Sequence, residues 1–208
     1  MARQQYIVAG IGTEIGKTFI SSILVEALHA HYWKPIQSGG LEYTDTDTVK
    51  GLISNTNSIF YPEAYRLTQP LSPHAAAEID GVELVLEKFE LPQTDAPLIV
   101  ELAGGLMVPL NSQLLNIDLI EKLNLPVILV TRNYLGSINH TLLSVHLLQS
   151  RGVKIEGLIF NGVANAATES FILNYTKLPL LAKVEEQSEI NKTIVSHYAT
   201  VLKNVLCD

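Results

Sequence analysis

"GIGTEIGKTF" (Gly10–Phe19) follows the apolar run "YIVAG" (6–10). It leads into "KTFISSILVEALHAH" (17–31), where Phe19, Ile20, Ile23, Leu24, Ala27 and Leu28 recur at helical spacing. A strand, a glycine-rich turn, a Lys-Thr pair and an amphipathic helix form a setting in which backbone N–H groups and a helix N-terminus bind phosphate. The spacing departs from the common G-x-x-x-x-G-K-[ST] loop. Ile11 stands where the first glycine belongs, with Gly10 one residue early and Gly12 one late. The setting outweighs the shifted glycine, and the stretch reads as a phosphate loop rather than an incidental βα turn. In such a loop Lys17 supplies charge for β and γ phosphates, and Thr18 a hydroxyl for Mg²⁺.

Outward from the loop, strand and helix patterns alternate. "LIVEL" (98–102) and "PVILVT" (126–131) are near-continuous apolar runs, the mark of parallel strands covered on both faces. "IEGLIFN" (155–161) and "PLLAKV" (179–184) add strands, "INHTLLSVHLLQSRG" (138–152) a helix ended by Gly152, and the tail from Ser188 to Leu206 another helix. This order predicts an α/β fold of the P-loop NTPase kind, a mainly parallel, doubly wound sheet with helices on both faces, forming a single domain over residues 1–208. Ligands in such sheets lie beyond the carboxyl ends of the strands. Gly10–Thr18, Glu101–Gly105, Leu135–Asn139 and Asn161 all fall there or shortly after. The polar stretch 39–73, with "EYTDTDT" inside it, predicts loops and a short helix over the site, not a second domain.

Composition narrows the function classes. The 208 residues are 47% hydrophobic, ample for a buried core. A net charge of −7 with only 14 Lys and Arg argues against a nucleic-acid partner, though a few converging cations still suit a small anion. No apolar run approaches the roughly 20 residues that span a bilayer. "MARQQYIVAG" enters a strand without a signal-peptide region, and the single cysteine, Cys207, excludes an internal disulfide or a cysteine metal cluster. A cytoplasmic protein without a membrane partner is expected.

Several side chains outside the loop are candidates for chemistry. Glu101 ends an apolar strand, where a lone carboxylate needs a partner or a metal. Asp45 and Asp47 are candidates for a second carboxylate, or members of a solvated turn. Lys34, in "WKPIQSGG" (33–40), precedes a proline-fixed segment and small residues, a place open to a site lysine or a surface one. His74 in "LSPHAAA" suits a helix start, and His29, His31, His146 and His197 have no metal-binding spacing. "LGSIN" (135–139) resembles an anion-accepting helix N-terminus.

As a set, "GIGTEIGKT", "WKPIQSG", "TDTDT", "LSPHAAA", "VELAGGLMVPL", "PVILV", "LGSINHTLLS" and "FNGV" resemble the dethiobiotin synthase family, in the family's order, from the first strand to about Asn161. That family's loop has the longer form G-x-x-T-x-[VI]-G-K-T, which Gly10, Thr13, Ile15, Gly16, Lys17 and Thr18 match. The resemblance implies an ATP-dependent carboxylation of 7,8-diaminononanoate with CO2. A carbamate is phosphorylated, and the neighbouring amine closes the ureido ring with release of phosphate. It implies catalytic roles for Lys17 and Lys34, and ATP contacts from Gly12, Thr13, Glu14, Ile15, Gly16, Lys17 and Thr18. Asn161 would read the adenine edge, while Thr18, Asp47 and Glu101 would ligate Mg²⁺. Ser38 would meet the substrate amines, and Gly136, Ser137 and Asn139 its carboxylate, across the two-fold interface of a homodimer.

The sequence also departs from the family. Leu102 stands where a glycine is expected, which would narrow the substrate pocket or shift the strand end. Gly12 replaces an acidic residue or asparagine, the segment between Lys17 and Lys34 is short, and Tyr175 aligns only approximately with a substrate-contacting tyrosine. A partitioning-type P-loop ATPase switch would share the loop and the fold, but it leaves Lys34, "LSPHAAA" and "LGSINH" unexplained and usually has a second lysine inside the loop. The synthetase domain of a cobyrinate amidase would share the scaffold, but the glutamine-amidase domain is missing.

Overall fold

A computed structural model describes residues 4–206. Met1–Arg3 of the opening stretch, and Cys207, lie outside these residues. The chain opens with β1 (Gln5–Gly10), the phosphate loop and α1 (Lys17–Leu28). β2 (His31–Trp33), β3 (Ile36–Ser38), α2 (Asp45–Leu52), β4 (Phe60–Tyr61), β5 (Tyr65–Leu67) and α3 (Pro73–Asp80) follow. Then come β6 (Leu98–Gly105), α4 (Asn116–Leu123), β7 (Val127–Thr131) and α5 (Ser137–Ser150), and finally β8 (Ile155–Asn161), α6 (Ala166–Thr176), β9 (Leu180–Val184) and α7 (Lys192–Leu206).

Seven strands form one sheet in the order β4-β2-β6-β1-β7-β8-β9, parallel at every pairing. Residues alternate between its two faces, as the pleat requires. Ile7, Ala9, Leu98, Val100, Val127 and Leu129 join an apolar cluster with residues of α4, α5 and α6. Tyr6, Val8, Ile99, Ile128, Val130 and Ile159 join the opposite cluster with α1, α2 and α7. Both faces are covered, which is why these strands read as unbroken apolar runs. Ile20, Ile23 and Leu24 of α1 are fully buried, each worth about 1.5–3 kcal/mol of transfer free energy.

Several elements differ in extent from their sequence pattern, among them β6, which runs past Leu102 to Gly105. The helix expected over residues 17–31 stops at Leu28, because His29 takes a left-handed conformation (φ 48°) and His31 already begins β2. This abrupt turn accounts for the short span between Lys17 and Lys34. The final helix starts at Lys192 rather than Ser188. The 39–73 stretch holds α2 as the expected short helix, and also the short strands β4 and β5. β5 pairs only with β3, in a separate two-stranded sheet that fixes the segment carrying Ser38.

Candidate active site

The phosphate loop leaves β1 at its central position in the sheet and is built around Ile15. A Cβ on Gly10 would lie 2.2 Å from Ile15 Cδ1, so the early glycine is the one that lets the longer loop close over this buried side chain. Gly16 has φ +90°, a conformation open to glycine, and its Cα faces the Asn161 amide. Asn161 donates from Nδ2 to the Ile15 carbonyl at 2.8 Å, tying the end of β8 to the loop. Lys17 begins α1 and curls back to donate to the Gly12 carbonyl at 2.8 Å. Its burial pulls its pKa down to about 8, against the nearby Glu101 charge and with help from Lys34.

Glu101 lies on β6 next to this loop, 1% exposed, and three donors converge on it. Thr18 Oγ1 donates to Oε1 at 2.9 Å, Lys34 Nζ to the same oxygen at 3.0 Å, and the Tyr32 hydroxyl to Oε2 at 2.9 Å. Lys34 also pairs with Asp45 Oδ2 at 2.7 Å. Burial would lower the Lys34 pKa, but its two carboxylate partners override that and hold it above the ordinary lysine value. The ammonium therefore sits charged between Glu101 and Asp45.

A cavity of about 790 Å³ opens over this cluster. Thr13, Glu14, Gly16, Lys17, Thr18, Lys34, Ser38, Asp45 and Glu101 line it, with Pro70–Pro73 and Gly104 closing other sides. Its volume falls within the range of small-ligand sites. The Ser38 hydroxyl is buried there without a hydrogen-bond partner, an open position for a polar ligand group.

The remaining candidates fall elsewhere. Ile15 and Asn161 support the loop from behind, and Gly12 presents its carbonyl to Lys17. Gly136 and Asn139 line a separate hollow at the start of α5, with Tyr134, Leu135 and Phe171, while Ser137 is buried at the same helix end. Within one chain this hollow and the lysine cavity are distinct. Leu102, on the alternate face of β6, points into the apolar cluster under α4 and α5 rather than into the cavity, so it does not narrow the pocket. His74 occupies the first turn of α3, accepting or donating at Ser72 Oγ, as its helix-start context predicted.

Asp47 requires a correction. Its carboxylate caps α2, accepting from the Thr44 backbone N–H at 2.9 Å and from the Thr44 hydroxyl at 2.8 Å, and it does not line the cavity. Asp45 does, against Lys34. A capping-box signal, Thr44-x-x-Asp47, is present in the sequence and separates the two carboxylates, one capping α2 and the other beside Lys34. Tyr32 was missed altogether, because its partner is 69 residues away.

Thr18, Glu101 and Asp45 offer only oxygen donors, and the Lys34 ammonium already bridges the two carboxylates as a cation. Hard oxygen donors around a cation position fit Mg²⁺, which takes one or two carboxylates and completes its shell with waters and substrate phosphates. Among the described residues no group of three or more His, Cys, Asp or Glu gathers into a fuller cage.

Comparison with known proteins gives the chain its family. A family model described as an AAA domain matches residues 4–193. The chain is 48% identical over 205 residues to the ATP-dependent dethiobiotin synthetase BioD of Christiangramia forsetii, covering 99% of each chain. It is 46% identical to the synthetase of the same name from Cytophaga hutchinsonii, over 96% of this chain and 97% of that one. The Chlamydia felis counterpart is 41% identical over 95% and 93%. Among solved structures, the MinC:MinD cell division complex of Aquifex aeolicus aligns with a TM-score of 0.62 at 11% identity, covering 98% of this chain and 96% of that one. MinD with Mg-ADP from Pyrococcus horikoshii aligns with 0.59 at 16%, over 99% and 93%. These distant likenesses are of fold alone, the P-loop ATPase scaffold, and the partitioning-type reading goes no further than that.

Proposed function

The chain belongs to the ATP-dependent dethiobiotin synthetases, ligases that form carbon–nitrogen bonds in biotin biosynthesis, and on that premise we propose that residues 1–208 work as one catalytic domain on 7,8-diaminononanoate, CO2 and ATP. The observation that carries this reading is the convergence of two buried lysines, Lys17 and Lys34, with Glu101, Asp45 and Thr18 in one cavity beside the phosphate loop.

One substrate amine attacks CO2, forming a carbon–nitrogen bond and losing a proton, to give a carbamate. A carbamate oxygen then attacks the γ-phosphorus of ATP, the bond to the bridging oxygen breaks, and ADP leaves. The second amine attacks the carbamate carbon and expels phosphate, closing the five-membered ureido ring of dethiobiotin. The difficulty lies in bringing two anions together, and phosphoryl transfer is largely a matter of positioning and charge neutralisation. Lys17, curled over the loop, would meet the ATP phosphates. Lys34, held at the mouth of the cluster, would face the carbamate and the transferring phosphoryl group. The partnerless Ser38 hydroxyl would take a substrate amine, and Thr13, Glu14 and Gly16 would flank the phosphates. Mg²⁺, when bound, supplies charge that neutralises phosphate oxygens, and Thr18, Glu101 and Asp45 would hold it. Asn161, fixed against the loop, would face the adenine.

A homodimer would bring the α5 hollow of one chain, with Gly136, Ser137 and Asn139, to the cavity of the other and complete a site for the substrate carboxylate. No described helix is long and apolar enough to cross a membrane, and the need for ATP supports a cytoplasmic setting. The decisive test is ATP turnover with and without the diamine and bicarbonate, with dethiobiotin identified by mass spectrometry. Turnover should require both. Equal hydrolysis without the diamine, or no dethiobiotin, removes the assignment.

A further inference from the structure

The two oxygens of Glu101 have different partners. Oε1 meets Thr18 and Lys34, both of which line the cavity. Oε2 accepts from the Tyr32 hydroxyl at 2.9 Å, its one hydrogen bond among the described residues. Tyr32 is fully buried in the cluster beneath α1 and does not line the cavity. It pairs with Ile99 in the β2–β6 ladder. Glu101, two residues further along β6, lies on the same face about 6.6 Å away along the strand. A tyrosine leaning along the strand spans that distance, and a phenylalanine stops one atom short.

We infer that Tyr32 is a positioning residue for the metal-binding carboxylate: its hydroxyl clamps Oε2, so that Glu101 presents Oε1 alone, in one orientation, to the cavity. The inference rests on the reading of Glu101 as a Mg²⁺ ligand. Lys34 shares in the arrangement from the same stretch of chain, since Tyr32 and Lys34, two residues apart, grip opposite oxygens of one carboxylate. Without the clamp the carboxylate can turn about its last bond, offer both oxygens or swing toward Lys34. Mg²⁺ demands near-ideal geometry and tolerates such freedom poorly. Partners behind a ligand typically change metal affinity by about 10–100-fold when removed.

The test uses Tyr32→Phe, which keeps the ring and its packing, alongside Glu101→Gln. Binding of adenylyl imidodiphosphate, an ATP analogue that resists hydrolysis, is measured by calorimetry in Mg²⁺ and again in EDTA. The ratio of the two affinities reports what the cation contributes. In Y32F the EDTA affinity should match the wild type while the ratio falls about tenfold. In turnover the Mg²⁺ concentration for half-maximal rate should rise by a similar factor, with the rate at saturating Mg²⁺ little changed. E101Q should lose the ratio almost entirely, and Y32F should add nothing in the E101Q background. A lowered melting temperature with a wild-type ratio in Y32F, while E101Q loses its ratio, makes Tyr32 a packing residue only and overturns the inference. A wild-type ratio in E101Q instead removes Glu101 from the metal site, and with it the premise.

Discussion

A buried ammonium is costly unless it is paired, and Lys34 is paired twice, with Glu101 at 3.0 Å and Asp45 at 2.7 Å. The two carboxylates hold the Lys34 pKa above the ordinary lysine value despite its burial. Asp45 is the partly exposed partner, at 37% side-chain exposure, and its removal leaves Lys34 paired with the buried Glu101. The neighbouring aspartates make this a test at single-residue resolution. Asp45→Asn should lower turnover by about tenfold or more, as expected for a group touching a metal or its ligands, with little change in folding. Asp47→Asn should do the reverse, keeping turnover near the wild type and lowering the melting temperature slightly through the loss of the α2 cap. Steady-state rates and melting curves of the two variants decide it, and a larger rate loss in D47N would restore Asp47 to the site. Composition and spacing could not separate the two, because both sit in "TDTDT". The capping box could, since it turns one carboxylate toward a backbone N–H.

The elements that hold the site are joined by a few specific bonds, and the one between α1 and the end of α2 runs through Glu26. Its Oε2 accepts from the backbone N–H groups of Ser54 and Asn55 and from the Asn55 amide at 2.8–3.1 Å. Partial burial would raise its pKa, but these bonds and nearby His29 outweigh that and hold it below the ordinary value of 4.5. A carboxyl group lowered on folding contributes stability that is fully present above its unfolded pKa and is lost as pH falls through the folded value. Glu26→Gln should therefore be less stable than the wild type at pH 7, and the gap in urea-unfolding free energy should narrow below about pH 4.5. A gap that stays constant with pH would mean the bonds do not depend on the charge. At this scale the sequence was legible where periodicity had room to act. β1, β6, β7 and β8 announced themselves as apolar runs because both their faces are buried. β2 and β4, of three and two residues, are too short for any period to register, and β2 is the strand that delivers Tyr32 and leads into Lys34. The helix end at Leu28 depends on His29 entering a left-handed conformation, which few non-glycine residues adopt and no pattern announces.

In the whole molecule, the phosphate loop, Glu101 and Lys34 come together because β2, β6 and β1 are adjacent in the sheet, although they are far apart in the chain. That adjacency belongs to the doubly wound topology; the alternation of elements predicted the topology but not the strand order. The tie from Tyr32 to Glu101, 69 residues apart, depends on the register between β2 and β6, which the alternation did not contain. The same scale raises the question of why the α5 hollow lies apart from the lysine cavity. Around it the chain exposes large apolar side chains: Leu135 is fully exposed, and Tyr134, Leu143, Val163 and Phe171 are each 43–61% exposed. An apolar patch of this kind suits an association surface, and in the proposed homodimer a second copy of the chain would cover it while bringing its hollow to the partner's cavity. Leu135→Asp places a charge in that patch without touching the phosphate loop. Light scattering should then report a monomer where the wild type, on the proposed homodimer, gives twice that mass. The KM for the diamine should rise by about tenfold or more, in keeping with the loss of a contact to a charged substrate group, while affinity for the ATP analogue should be unchanged, because the nucleotide residues belong to one chain. A dimer that persists in L135D with an unchanged KM would move the association surface elsewhere. A monomer with wild-type KM would mean that each chain binds the whole substrate by itself.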